Sequence, residues 1–233
     1  SGLADVYSRK ALNLNGNKRS ESYDKAKSLA LKALTLDDNL AETHASIGWI
    51  YRIYDWDWLE SEKHFKRAIE LGPNDAENYR LYSTLLIVLG RTKEAVEFAR
   101  KAFQLDPLSQ SATVGWALVN DRQYEAAIEE YSKQIAKSLG TFDDFHGLSL
   151  AYLRVEKYSE AIETIQKLPS ETQNRFASKS VLTIAYHHLG EKEKSAEILT
   201  DLEKQADGNE ANYVRLAITY AETGKIEKAL IVL

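Results

Sequence analysis

The sequence predicts an all-α protein, a right-handed superhelical solenoid in which helix hairpins recur and stack side by side. Two observations carry this. Residue columns return at a fixed step: Tyr152, Tyr186 and Tyr220 are spaced by 34 twice, and Ala127, Ala161, Ser195 and Ala229 keep that step three times. Pro73 and Pro107 repeat it upstream, as do Ala68 and Ala102. Within one step the apolar residues fall three and four apart in two successive runs, so each unit holds two amphipathic helices. No alternating pattern persists, and no strand is expected.

The elements follow in order. The first unit, 1–38, contains an insertion near NLNGNKRSES (13–22), a polar stretch that predicts a loop. The second, 39–75, has the unusual turn YDWDW (54–58). There Asp57 and Glu60 fit a capping box, an acceptor at the N-cap with a carboxylate three residues on. Trp58 takes the column of Tyr124 and Tyr158, expected to wedge under the turn. Trp56 replaces the glycine found at Gly90 and Gly190, which makes this turn one residue longer.

The third unit, 76–107, is the plainest. A first helix runs from about Ala76 to Leu89 with Tyr79, Tyr82, Leu86 and Leu89 on one stripe, and Gly90 stops it. A second runs from about Lys93 to Gln104, with Ala95, Val96, Ala99, Ala102 and Phe103 inward, until Asp106-Pro107 leaves the helical region. The fourth unit, 108–141, has a shortened entry. The fifth, 142–175, ends in QKLPSETQNRF (166–176), where Pro169 predicts a longer loop or a helix break. The sixth, 176–209, contains EKEKSAE (191–197), an exposed, charged helix start. The seventh, 210–233, stops inside its second helix.

Small residues mark where two helices of a hairpin approach. One first-helix column reads Ala4, Gly48, Ser83, Gly115, Ser149, Thr183, Ala217, and one second-helix column reads Ala26, Ser61, Ala95, Ala127, Ala161, Ser195, Ala229. Large partners fill the space beside them: Tyr7, Tyr51, Leu86, Leu118, Tyr152, Tyr186 and Tyr220. Another second-helix column changes from Ala33, Ala68 and Ala102 to Gln134, Leu168 and Leu202, which predicts altered packing angles in the later units.

These columns, and AENYRLYSTLLIVLGRTKEAVEFARKAFQLDP (76–107) above all, resemble the tetratricopeptide repeat, a helix–turn–helix unit. The YDWDW spelling followed by FKRAIELGPN is similar to a variant attached to bacterial winged-helix regulators, nucleotide cyclases or kinases. The resemblance implies part of a larger bacterial signalling or regulatory protein, cytoplasmic unless an upstream membrane span places it in the periplasm. Repeat proteins that hold a chaperone's acidic C-terminus use a two-carboxylate clamp of Lys, Asn and Arg. Here those positions are Ala45, Trp49, Leu81, Ser109 and Thr113, so that partner is not expected.

Stacked hairpins coil so that first helices line an inner wall, a preformed trough for a peptide segment or an adjoining domain of the same polypeptide. Helical phase places Glu42, Ala45, Trp49, Arg52 and Ile53 there, then Glu77, Arg80, Thr84 and Ile87, then Ala112, Trp116, Val119 and Asn120. Later units add His146, Leu150, Arg154, Ile184 and His187. Trp49 and Trp116 occupy equivalent positions, with arginines nearby, and both residue types are enriched in binding hot spots. The competing expectation is that both tryptophans fill the seam between repeats.

The chain offers little else. Of 233 residues, 30 are Lys or Arg and 35 Asp or Glu, a formal net charge of −5 without a basic block, which argues against nucleic acid. Cysteine is absent, which excludes disulfides and thiolate chemistry. No apolar run is long enough to span a membrane. Phosphate loops and hydrolase or zinc motifs are missing, and His187 and His188, adjacent on a helix, diverge by about 100° and cannot easily share an ion. The expectation is therefore a non-enzymatic binding module without cofactor or metal. Methionine is absent even at the start, and the chain ends in apolar residues 229–233, so more protein is expected at both ends. Homo-oligomeric assembly is the second reading. A closed helical ring with enzymatic Asp55 and Asp57 at its mouth is the third.

Overall fold

The computed structural model describes residues 2–11, 14, 16–108, 111–137, 140–206 and 210–233, and among these every regular element is a helix. The chain divides into two compact units, Ser1–Asp121 and Arg122–Leu233. Unit 1 holds α1 (Gly2–Ala11), α2 (Gly16–Leu36), α3 (Ala41–Ile50), α4 (Trp58–Leu71), α5 (Ala76–Val88), α6 (Thr92–Leu105) and α7 (Ser111–Asn120). Unit 2 holds α8 (Tyr124–Ala136), α9 (Phe142–Arg154), α10 (Tyr158–Gln166), the single turn α11 (Ser170–Gln173), α12 (Phe176–His188), α13 (Lys192–Ala206), α14 (Glu210–Glu222) and α15 (Ile226–Val232).

In unit 1 the hairpins α1/α2, α3/α4 and α5/α6 stack in sequential order, with α7 closing on α6. Successive first helices, α1, α3, α5 and α7, touch one another, and each second helix packs on the first helix that follows; second helices make no comparable contact among themselves. The side where the first helices meet is therefore the tighter, inner side. Unit 2 repeats the plan with α9/α10, α12/α13 and α14/α15, and there α9, α12 and α14 form the inner row.

The small columns act as expected, with an addition. A Cβ on Gly48 would lie 2.9 Å from the Phe65 ring, so α3 and α4 are as close as glycine permits. Ser61 Oγ donates to the Gly48 carbonyl at 2.8 Å, Ser83 Oγ to that of Ala95 at 2.8 Å, and Ser195 Oγ to that of Thr183 at 2.9 Å. At these three serines the hydroxyl bonds the opposing backbone, while Ser149 Oγ donates to the His146 carbonyl of its own helix at 2.7 Å, so each hydroxyl is satisfied in the buried seam. In unit 2 the closest approach is at Gly147, where a Cβ would fall 2.2 Å from the buried Tyr131 ring.

The turns reveal a register finer than the side chains. Positive φ occurs at Trp56 (59°), Gly90 (74°), Arg122 (59°), Glu156 (60°), Gly190 (81°) and Gly224 (75°). The next N–H then reaches back to the large column: Arg91 to the Leu86 carbonyl, Lys157 to Tyr152, Glu191 to Tyr186 and Lys225 to Tyr220, all within 2.8–2.9 Å. Asp57 reaches Tyr51, the same column, at 3.0 Å, although one more residue intervenes. The surplus is absorbed by a π-helical turn over Tyr51–Asp55. YDWDW is indeed a lengthened turn.

Three expectations change in detail. Residues 16–22 are helical rather than a loop: α2 has 21 residues against 14 in α4, with Tyr23 and, beside it, Ser22 buried near its start. Residues 13 and 15 of the 13–22 stretch lie outside the described ones, as do 109 and 110 in the short entry to the fourth repeat. The capping box at Asp57 is half made. Its side chain accepts the Glu60 N–H at 3.1 Å, but its own N–H is committed to Tyr51, and Glu60 pairs with Lys63 at 3.2 Å instead. A complete box forms at Thr141 and Asp144. Trp58, with Leu59, stays exposed rather than wedged beneath the turn. The break at Pro169 is as expected: α10 stops at Gln166, and the Gln173 amide ties the loop to the Gln166 and Leu168 carbonyls.

Candidate functional site

On the inner row of unit 1, Trp49 is half-buried against a core of Ala45, Phe65, Leu81 and Leu85. It thus fills part of the seam between α3 and α5. Over its ring sits the Arg52 guanidinium, with Cζ 4.4 Å from the centroid. Arg52 Nε is buried without a hydrogen-bond partner, and among the described residues Arg52 forms no ion pair. Burial pushes its pKa down to about 10, and the charge of Arg80 adds to that. Arg80 is itself engaged, its Nε donating to Glu77 Oε2 at 2.6 Å and Nη2 to the second oxygen.

The other wall positions of unit 1 divide into packed and open. Ile53 packs on Ala11, Tyr23, Ala26 and Ile50, and Ile87 on the core that also holds Trp49. Both lie deeper than helical phase alone implies. Thr84 turns its hydroxyl to the Leu81 carbonyl at 2.7 Å. Trp116, equivalent to Trp49 two repeats further, is 44% exposed, and Asn120 donates to its carbonyl at 2.8 Å.

In unit 2 the corresponding positions are engaged with one another. His146 stacks on Phe142 at 5.7 Å, and burial, with Arg215 nearby, lowers its pKa to about 4. Arg154 pairs with Glu222 at 2.8 Å, linking α9 to α14 across the repeat between them. Ile184 is only 7% exposed, and the hydroxyls of Ser180 and Thr219 are hydrogen-bonded between α12 and α14. His187 is half-buried, its pKa lowered by burial and then by His188, Lys225 and Lys192. The His187 and His188 rings stand at 88°, and His188 stacks on Tyr158 at 4.7 Å. Among the described residues no three His, Asp or Glu side chains gather as metal ligands.

The carboxylates of the YDWDW turn are structural. Asp55 pairs with Lys27 at 3.0 Å, and Asp57 caps α4. Sequence reasoning gave Arg52 and Arg154 the same standing. Only their partners separate them, and Glu222 lies 68 residues from Arg154. A shared column position, Arg154 and Glu222 being two steps apart, was the one available signal.

Residues 76–107 match the family model of the tetratricopeptide repeat. No curated protein matches the sequence. Among solved structures, the chain is similar to PilW, described as a widely conserved type IV pilus biogenesis factor, with a TM-score of 0.70 at 17% identity over 94% of this chain and 98% of that one. A tetratricopeptide repeat protein from Parabacteroides merdae gives 0.69 at 13% identity over 100% and 91%. PilF of Pseudomonas aeruginosa gives 0.63 at 16% over 95% and 98%. At such identities the likeness establishes the fold, a solenoid of stacked helix hairpins. The family match thus covers residues 76–107, and the likeness in fold, stacked helix hairpins, covers nearly the full length of the chain.

Proposed function

We propose that the chain is a non-enzymatic protein-interaction module whose inner wall holds a peptide segment or an adjoining domain of its own polypeptide. One observation carries this: the inner row of unit 1 leaves an exposed Trp116 and an unpaired Arg52, whereas in unit 2 Ile184, in the Trp116 column, is enclosed and Arg154 is paired with Glu222. Tryptophan and arginine dominate binding energy where they meet a partner, and a surface serving only stability would bury or pair them. The reading extends to a regulatory arm of a larger cytoplasmic protein in bacteria. It has no need of a cofactor.

Selection from a random peptide library, followed by calorimetry, tests it. Recovered peptides should lose affinity on Trp116→Ala with the helical circular dichroism unchanged. Equal binding by the variant would remove the wall from the proposal.

A second reading, a scaffold that joins copies of the chain, is favoured by exposed Val214 and Ile218 on α14 and Leu230 and Ile231 on α15. Sedimentation showing a monomer at every concentration would end it. The enzymatic ring loses its motivation, since Asp55 and Asp57 are committed to Lys27 and to the helix cap.

A further inference from the structure

We propose that Arg52, lying on Trp49 with Arg80 beside it, is a carboxylate-binding subsite, and that the partner of unit 1 presents an acidic group flanked by apolar ones. This rests on the groove reading above and narrows it to a ligand chemistry.

The Trp49 ring covers one face of the guanidinium at 4.4 Å, and with Nε buried the edge formed by the two Nη groups is left as the polar surface. Among the described residues no acceptor meets that edge. The nearby acids are occupied: Glu77 by Arg80, Asp55 by Lys27, and Asp24 by the Tyr54 hydroxyl. A half-buried cation facing a second cation lacks a negative partner, and a planar carboxylate fits a guanidinium edge with two parallel hydrogen bonds. Glu77 offsets part of the positive charge, which favours a monoanion over a phosphate dianion. The flanks, Trp49 and Ile87, are apolar. The carboxylate belongs either to an Asp or Glu side chain or to a chain terminus, and the same edge would receive both.

The test displays a random peptide library in two formats, with free C-termini and with the C-terminus fused. Wild-type protein should recover peptides bearing Asp or Glu at one fixed place from the fused format if a side chain is bound. It should recover peptides needing only their free terminus if that is bound. In calorimetry, Arg52→Met should weaken them roughly tenfold or more, and Arg52→Lys, which keeps the charge without the fork, should restore only part. Should Arg52→Met unfold, the exchange of Glu for Gln, or amidation of the terminus, in the peptide reads the same loss on wild-type protein. Unchanged affinity after either exchange overturns the subsite. Recovery of peptides without any acid, or a preference for phosphopeptides, overturns it and leaves the groove reading standing. Recovery of no peptide in either format removes both.

Discussion

The inner rows of the two units are built on the same columns and differ in what they leave undone. In unit 2 the first helices satisfy one another: Arg154 meets Glu222, Ser180 meets Thr219, Ile184 is enclosed, and His146 is held against Phe142. In unit 1 the inner row holds an unpaired Arg52, where the column of unit 2 has Leu153 and His187, and an open Trp116, whose column in unit 2 has the enclosed Ile184 and an exposed Ile218. A repeat fixes where a side chain stands but not whether it has a partner. That second property separates a wall that holds the fold from a wall that can hold something else.

The largest way to break this comparison is to truncate one column in both units. Ile184→Ala should cost about 3 kcal/mol, because its side chain is enclosed and the cavity would persist. Trp116→Ala should cost under about 1 kcal/mol, because its surface already meets water. Urea denaturation of both variants measures the contrast, and equal losses would mean that the Trp116 wall is structural too.

Acid sensitivity sharpens the comparison next, because the two units should share it. His64 in unit 1 and His146 in unit 2 have their pKa values lowered from 6.5 to about 4, mainly by burial. Between those values the unfolded chain takes up protons that the folded chain refuses, so stability is full above about 6.5 and falls as pH drops toward 4. His64→Gln and His146→Gln should each flatten the dependence of the urea midpoint on pH in that window. A slope left intact would show that neither histidine is held neutral.

A smaller effect lies in the turns. Trp56 adopts a left-handed backbone that Gly190 adopts in unit 2 without penalty, and it is 72% exposed. Trp56→Gly should therefore stabilise the protein by about 1 kcal/mol in thermal melting. Destabilisation would mean that the indole has a packing role. Smallest is Glu222→Gln. The exposed pair with Arg154 contributes about 0.5 kcal/mol, so melting should hardly move. The freed Arg154 should nonetheless give unit 2 a weak affinity for acidic peptides that calorimetry can detect.

Much of the fold was legible because it is periodic. The hairpins, the helix stop at Gly90, the break at Pro169 and the lengthened YDWDW turn all follow from local residue types. What was hidden has a common cause. Arg122 and Glu156 take the left-handed position without being glycine, imposed by the stacked helices around them. The helical start at 16–22 is polar, and its order comes from Ser22 and Tyr23 being covered by the rest of the unit. Of the candidate site, helical phase put Trp49, Arg52, Arg80 and Trp116 on one wall; Trp49, Arg80 and Trp116 stand on first helices and Arg52 in the π-helical turn that continues one, but depth is a tertiary property. Ile53 and Ile87 are packed, and Arg154 is tied to Glu222, through contacts that no single helix contains.

The π-helical turn at Tyr51–Asp55 has a consequence for engineering. Because Asp57 still reaches Tyr51, the array keeps count by which carbonyl an amide finds, not by how many residues separate them. A hairpin of this kind can accept a spliced-in residue at its tip while its neighbours keep their phase. The tips at Gly90, Gly190 and Gly224 are accordingly the natural places to graft a displayed sequence.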